Sequence, residues 1–269
     1  MKPLVIAHRG ASSLAPENTL AAARLAHALG ADLWEADVGM SKEGELLLLH
    51  DETLERTTDA REKYPEKAPW LAEELSLAEI QSLDAGSWFH REDPFGELGR
   101  GEARGNYRGE RVPTLKAALE LTRDLDWRVN LELKSPRDPG LKGLLLEKTI
   151  AACRESGLLP EQVVLSSFDL DLLRRLKELA PEYRVQAVLG LDPAHPIDWG
   201  EAWDFDELNP MAELTPPAKV AELSAAGKKV QPWTVNDPKA ALDYFEAGAA
   251  GVFTDYPQRL VPLVRSRYP

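Results

Sequence analysis

Short apolar runs rich in branched residues alternate along this chain with stretches of helical periodicity, and this alternation limits the fold more than any other feature. Runs bounded by Gly, Pro or Ser predict buried strands at Pro3 to His8, Asp32 to Val38, Glu45 to His50, Val129 to Lys134 and Gln162 to Phe168. Four more follow at Arg184 to Leu189, Glu207 to Met211, Lys229 to Val235 and Gly251 to Asp255. Helical patterns fall between them at Thr19 to Leu29, Leu115 to Leu125, Leu141 to Glu155, Leu170 to Leu179, Pro217 to Ala226, Pro238 to Ala247 and Pro257 to Arg265. Several open on Pro in the first turn or close on Gly just past the end, as at Gly30, Gly157, Gly227 and Gly248. A βα series of about eight units, with one strand close behind another near Glu45, predicts an α/β fold of the TIM type, a (β/α)8 barrel. A doubly wound open sheet shares the local pattern, but its Gly-x-Gly-x-x-Gly turn after the first strand is absent.

At 269 residues the chain suits a single barrel domain spanning 1–269. One segment breaks the rhythm: from about 52 to 111 the sequence is strongly charged, rich in Gly, Pro and aromatics (Trp70, Trp88, Phe89, Phe95, Tyr107), with only a short helical pattern at Leu77 to Leu83. A segment this long inside a compact domain reads as a small inserted subdomain, and because it follows His50 directly it is expected to cover whatever site lies at that rim. The aromatics need a surface to pack on, which argues against a loose excursion.

No apolar stretch approaches the roughly 20 residues of a membrane span, and only Lys2 precedes the first strand, so neither stable membrane insertion nor a signal peptide is expected. A cytoplasmic location is the default expectation. Cys153 sits in the apolar stripe of its helix and reads as core. A net charge of −13 without clustered Lys or Arg argues against a nucleic-acid partner and favours a bound cation. Oligomeric state has no signature here, since no apolar stripe exceeds what a barrel's outer helices require.

The early strands end in titratable groups. His8-Arg9-Gly10 closes the first run, Glu35 and Asp37 lie on the second, and His50-Asp51 closes the third. Residues i and i+2 of a strand share a face, so Glu35 projects with Asp37, and Glu132 with Lys134. Three carboxylates thus meet in one barrel mouth, where they repel one another unless a hard divalent cation with oxygen ligands relieves them. The plainer alternative is that Glu35 or Glu132 only pairs with Arg9 or Lys134. A dication on three carboxylates leaves about one negative charge, which Arg9 and Lys134 reverse to about plus one, a setting for a monoanion such as a phosphodiester. Two histidines at separate strand ends suit in-line displacement at phosphorus, one taking a proton from the attacking oxygen and the other giving one to the leaving oxygen. His27, His90 and His195 read as structural. Trp233 points inward with Gln231 and Val235, where it either packs on substrate, with a cation-π contact available, or fills the barrel core. Asp255 either caps the helix after it or touches substrate or a site residue, and Glu17 either orients Arg9 or holds its own turn.

Taken in order, these strings resemble the glycerophosphodiester phosphodiesterases. The match runs through His8-Arg9-Gly10, Pro16-Glu17-Asn18-Thr19, Gly30-Ala31-Asp32 with Glu35 and Asp37, and His50-Asp51 followed by Leu54 and Arg56-Thr57-Thr58. It continues with Asp84-Ala85-Gly86, Trp88-Phe89, Val112-Pro113-Thr114-Leu115, Glu132 with Lys134, Ser167-Phe168, Trp233-Thr234-Val235-Asn236 and Thr254-Asp255 with Pro257, over nearly the whole chain. The resemblance implies Glu35, Asp37 and Glu132 as ligands of a calcium or magnesium ion, His8 and His50 as the acid/base pair, and Arg9 and Lys134 as phosphate contacts. It also implies hydrolysis of a glycerophosphodiester, such as glycerophosphocholine or glycerophosphoethanolamine, to sn-glycerol 3-phosphate and an alcohol. Attack by the glycerol 2-hydroxyl through a cyclic phosphate and direct attack by water are both open. A rival within enzymes is a lysophospholipase D or sphingomyelinase D relative acting on acylated lipids, for which an apolar channel would speak. Outside enzymes, the rival is a metal or phosphate-ester binding module.

Overall fold

The computed structural model describes residues 2–103 and 105–269. Nine strands are found in them: β1 (Leu4–Ala7), β2 (Leu33–Met40), β3 (Leu46–Leu48), β4 (Val129–Leu133), β5 (Val163–Ser167), β6 (Arg184–Leu189), β7 (Glu207–Pro210), β8 (Lys229–Val230) and β9 (Gly251–Thr254). All but β3 are parallel neighbours in the order β8-β7-β6-β5-β4-β2-β1-β9. The ends of that row meet through backbone hydrogen bonds from Ala250 N to Val230 O (2.8 Å), Phe253 N to Pro232 O (3.0 Å) and Val235 N to Phe253 O (2.8 Å), closing a TIM-type barrel.

Outward-facing residues form the main apolar core between ring and helices, where Trp34, Ala36 and Val38 of β2 join Leu119, Leu145 and Leu173 of the surrounding helices. Such burial on both sides is why parallel strands read as nearly unbroken apolar runs. Cys153 lies fully buried in this layer, its thiol pushed up to about 12 by burial. His27 stands edge-on to Trp127 at 5.2 Å, His90 stacks on Tyr107 at 5.8 Å, and His195 is exposed beside Asp192 at 2.8 Å.

Three elements differ from the sequence expectation. β3 is not a barrel strand: it pairs antiparallel with β2 (Val38↔Leu48, Met40↔Leu46), folded back by a turn at Ser41 to Glu45 in which Gly44 takes φ +73°. β8 is regular only over Lys229–Val230: Gln231 and Trp233 still donate to Leu208 O (2.8 Å) and Pro210 O (3.0 Å) of β7, while Pro232, which has no N–H, leaves the β9 side with only the closing bonds above. Between β6 and β7 the regular helix is only Trp199–Ala202, in a stretch of Pro and Asp that gives no helical period.

The segment inserted after β3 carries the short helices Ala60–Lys63, Leu77–Ser82 and Ser87–Glu92. Leu54, Leu75, Ile80 and Leu83 pack with Leu47, Leu49 and Val112, while Trp88 and Phe89 bury against Leu14 of the turn after β1. The Tyr107 hydroxyl donates to Leu14 O at 2.9 Å. Its aromatics thus fasten the insertion to the loop that follows His8 and Arg9.

Candidate active site

Strand register sets the three carboxylates. β2 and β4 pair with Asp37 opposite Glu132, and Glu35 lies two residues before Asp37 on the same inward face. Each residue offers an oxygen within 4.8 Å of the others, a group that could hold a metal ion. β1 pairs with β2 at Ala7↔Trp34, so His8 and Arg9 follow level with Glu35, and the Arg9 backbone N–H donates to Glu35 Oε2 at 2.8 Å. The other oxygen, Glu35 Oε1, is buried and finds no hydrogen-bond partner among the described residues. An orphaned buried carboxylate oxygen among all-oxygen donors fits a hard divalent cation.

The electrostatics around this group are uneven. Burial, and then the negative charge of Asp37, push the Glu35 carboxyl well above its ordinary range. Asp37 is equally buried, which alone would raise it, yet Lys134 and Arg9 overturn that and hold it far below the usual carboxylate range. Lys134 Nζ lies 2.9 Å from Asp37 Oδ1 and also bonds Glu132, and these two carboxylates outweigh burial to keep its ammonium charged. Arg9 Nε lies 3.2 Å from Asp37 Oδ2, and Arg9 Nη1 donates to Glu17 Oε1 at 2.9 Å. Asn18 grips Asp37 twice, its Nδ2 donating to Oδ2 at 2.8 Å and its Oδ1 accepting from the Asp37 N–H at 3.0 Å.

Each early histidine has a carboxylate on Nδ1. His8 meets Asp255 Oδ1 at 2.7 Å, and Asp255 also accepts from Ser12 Oγ (3.0 Å) and Asn236 Nδ2 (2.7 Å). Burial and Arg9 disfavour the His8 proton, but Asp255 outweighs them, so the imidazole titrates above its ordinary value. His50 meets Asp51 Oδ1 at 2.7 Å. It reaches the mouth by the return of the β2–β3 hairpin, where the Leu49 N–H donates to Asp37 O at 3.0 Å. His8, Arg9, Glu35, His50, Glu132, Lys134 and Trp233 all line one cavity of about 540 Å³, and Asp37 is buried behind Arg9 and Lys134. Its opposite wall is apolar, built from Phe168, Val188, Leu191, Met211 and Phe253 with Trp233, whose ring stands edge-on to Phe168 at 5.6 Å.

The chain's sequence does not single out Asn18, Arg56, Phe168 or Asn236 as site residues, and leaves Glu17 and Asp255 undecided. Glu17 holds Arg9 and Arg56, and Asp255 holds His8. The signal available was a polar string in each case: Thr254-Asp255 ends a barrel strand, and Pro16-Glu17-Asn18-Thr19 lies in the loop between β1 and the helix Leu20–Leu29 that Thr19 caps.

Comparison with known proteins identifies the class. A profile of the Glycerophosphoryl diester phosphodiesterase family matches residues 8–259. A glycerophosphodiester phosphodiesterase of Caldanaerobacter subterraneus subsp. tengcongensis is 36% identical over 98% of this chain and 99% of its own length. One of Bacillus subtilis is 31% identical over 94% of this chain and 84% of its own. Among solved structures, an Oleispira antarctica phosphodiesterase in complex with the product sn-glycerol-3-phosphate superposes with a TM-score of 0.80 at 33% identity, covering 98% of this chain and 97% of that one. A glycerophosphodiester phosphodiesterase of Agrobacterium tumefaciens gives 0.71 at 28% identity, over 97% and 99% of the two chains. The chain belongs to the glycerophosphoryl diester phosphodiesterase family, and it is an enzyme of that class, a phosphoric diester hydrolase. Among the described residues no helix is long and apolar enough to cross a membrane.

Proposed function

We propose that this enzyme hydrolyses small glycerophosphodiesters, such as glycerophosphocholine or glycerophosphoethanolamine, to sn-glycerol 3-phosphate and an alcohol in a metal-dependent reaction. The observation that carries the reading is the single cavity lined by both carboxylate-backed histidines, Glu35, Glu132, Arg9 and Lys134. Glu35, Asp37 and Glu132 would hold a calcium or magnesium ion, which when bound supplies Lewis-acid stabilisation of charge on a phosphoryl oxygen. Arg9 and Lys134 contribute fixed positive charge for the phosphodiester anion, and their ion pairs with Asp37 keep both heads in place before substrate arrives. With Nδ1 of each histidine engaged by a carboxylate, Nε2 is the atom left for proton exchange. The proton that Asp255 favours on His8 suits it to the acid role toward the leaving alcohol, with His50 as the base.

Trp233 and Phe168 offer aromatic surface to the glycerol or to a choline headgroup. The insertion, bound through Trp88 and Phe89 to the turn after β1, reaches the cavity itself through Glu52. The product-bound Oleispira antarctica phosphodiesterase supports the glycerol 3-phosphate half of the substrate.

The test is release of glycerol 3-phosphate from glycerophosphocholine by metal-stripped protein, with and without calcium or magnesium, beside a lysophosphatidylcholine control. Metal-dependent release from the small diester is expected, with His8→Ala and His50→Ala each losing roughly 100-fold or more. Near-normal turnover by either variant would remove that histidine from the mechanism. Turnover of the lysolipid instead would assign an acylated substrate, lying along the apolar wall of the cavity. A diester lacking the glycerol 2-hydroxyl separates the two chemical routes, since only direct attack by water survives its loss.

A further inference from the structure

We propose that Arg56 is a positioning residue for the phosphodiesterase reaction, locking the carboxylate that holds His50 to the carboxylate that holds Arg9. The inference rests on the roles given to His50 and Arg9 above. Arg56 lies in the first turn of the insertion, and its guanidinium grips two acids from different parts of the chain. Nε donates to Asp51 Oδ2 at 2.6 Å and Nη2 to Asp51 Oδ1 at 3.1 Å, while Nη1 and Nη2 each donate to a Glu17 oxygen at 2.7 Å. Asp51 Oδ1 is the partner of His50 Nδ1, and Glu17 Oε1 accepts from Arg9 Nη1.

A continuous set of charge-assisted bonds therefore runs from His50 through Asp51, Arg56 and Glu17 to Arg9, joining the end of β3 to the turn after β1. The planar fork of an arginine can hold two carboxylates at once in a fixed relation, which the point charge of a lysine cannot. The Trp88 ring lies against the guanidinium, 5.9 Å from Cζ to its centroid, within cation-π range. Without Arg56, Asp51 and Glu17 would be close acids with no shared cation. Asp51 would then turn away from its neighbour, and His50 and Arg9 would lose their common alignment. Arg56 itself is partly exposed, on a groove of about 830 Å³ lined also by Asp51, Trp88 and Arg91. Solvent ions can thus reach the position of its head group.

The experiment measures kcat and KM of Arg56→Ala, Arg56→Gln and Arg56→Lys on the diester that the wild type turns over, with melting temperatures for each. Expected is a loss of roughly 10- to 100-fold in kcat/KM for all three, because misplacement of a proton-transfer group by about 1 Å costs on that order. Methylguanidinium added to Arg56→Ala should restore a substantial part of the loss through the open groove, and methylammonium should not. In a His50→Ala background the Arg56→Ala change should cost less than it does alone, since the two act on one step. Arg61→Ala, on the same groove but paired with Glu55, should leave activity unchanged. Activity of all three Arg56 variants within twofold of wild type would overturn the proposal. So would a loss that follows the melting temperature, resists methylguanidinium and multiplies fully with His50→Ala. An active His50→Ala enzyme would instead refute the role given to His50, whereas an inactive His50→Ala beside a normal Arg56→Ala refutes only the positioning role.

Discussion

A buried histidine that exchanges protons depends on what faces its other nitrogen, and for His8 that group is Asp255. The pair makes stability pH-dependent in a defined window. His8 titrates above its ordinary value, so its contribution is full below about 6.5 and is lost as pH rises through the folded-state value. Burial works against the charge of Asp255, but His8 and its hydrogen bonds prevail and hold its pKa down. Its contribution is therefore present above about 3.9 and lost as pH falls through the folded value. Asp255→Asn removes the charge and keeps the shape. It should cost about 1–3 kcal/mol near pH 6, and the gap to wild type should shrink at pH 9; thermal unfolding of both proteins across pH measures it. A constant gap would mean that His8 is neutral in the fold. His8 and His50 are legible in the sequence as polar residues ending apolar runs, and Asp51 as the neighbour of His50. Asp255 is legible in the same way, as the polar end of the run from Gly251, but its partnership with His8 is not, because the two lie 247 positions apart and meet only through the pairing of β1 with β9.

At the scale of the element, the turn after β1 delivers His8 and Arg9, and Gly10 permits it. Gly10 takes φ +85°, and a Cβ there would stand 2.7 Å from backbone and side-chain atoms of Ala22 on helix Leu20–Leu29. Neither the backbone nor the packed helix can yield cheaply. Gly10→Ala should lower stability by about 2–4 kcal/mol, adding left-handed strain to overpacking, and displace Arg9 as well. Denaturant unfolding with an unchanged m-value, together with a raised KM, checks both parts. Helices were legible because Pro and Gly mark their ends, as Pro238 and Gly248 do around Pro238–Glu246. The direction of β3 was not, since an apolar run carries no sign of whether its neighbour is parallel. That matters for the site, because an antiparallel return from β2 is what sets His50 beside Asp37.

On the scale of the whole molecule, 45 acidic against 32 basic side chains leave a net charge of −13, so any cation will relieve some general repulsion. A site-specific cation must be distinguished from that background. The barrel concentrates Glu35, Asp37 and Glu132 at one point, and a ligand bound there but not by the unfolded chain stabilises by mass action. At about 100 times its dissociation constant the gain is roughly 2.7 kcal/mol, which for a domain of this size raises the melting temperature by about 5 °C. Calcium or magnesium should produce such a shift in metal-stripped protein at constant ionic strength, and a chelator should reverse it. Glu132→Gln discriminates between the two sources. It removes one donor from the mouth, while the surface charge that attracts cations in general is almost unchanged. Loss of the shift in Glu132→Gln, with monovalent salt having equal effects on both proteins, places the ion on the three carboxylates. A shift that survives Glu132→Gln would instead be screening of the acidic surface, and Lys134 would then be the counter-charge on which the cluster relies.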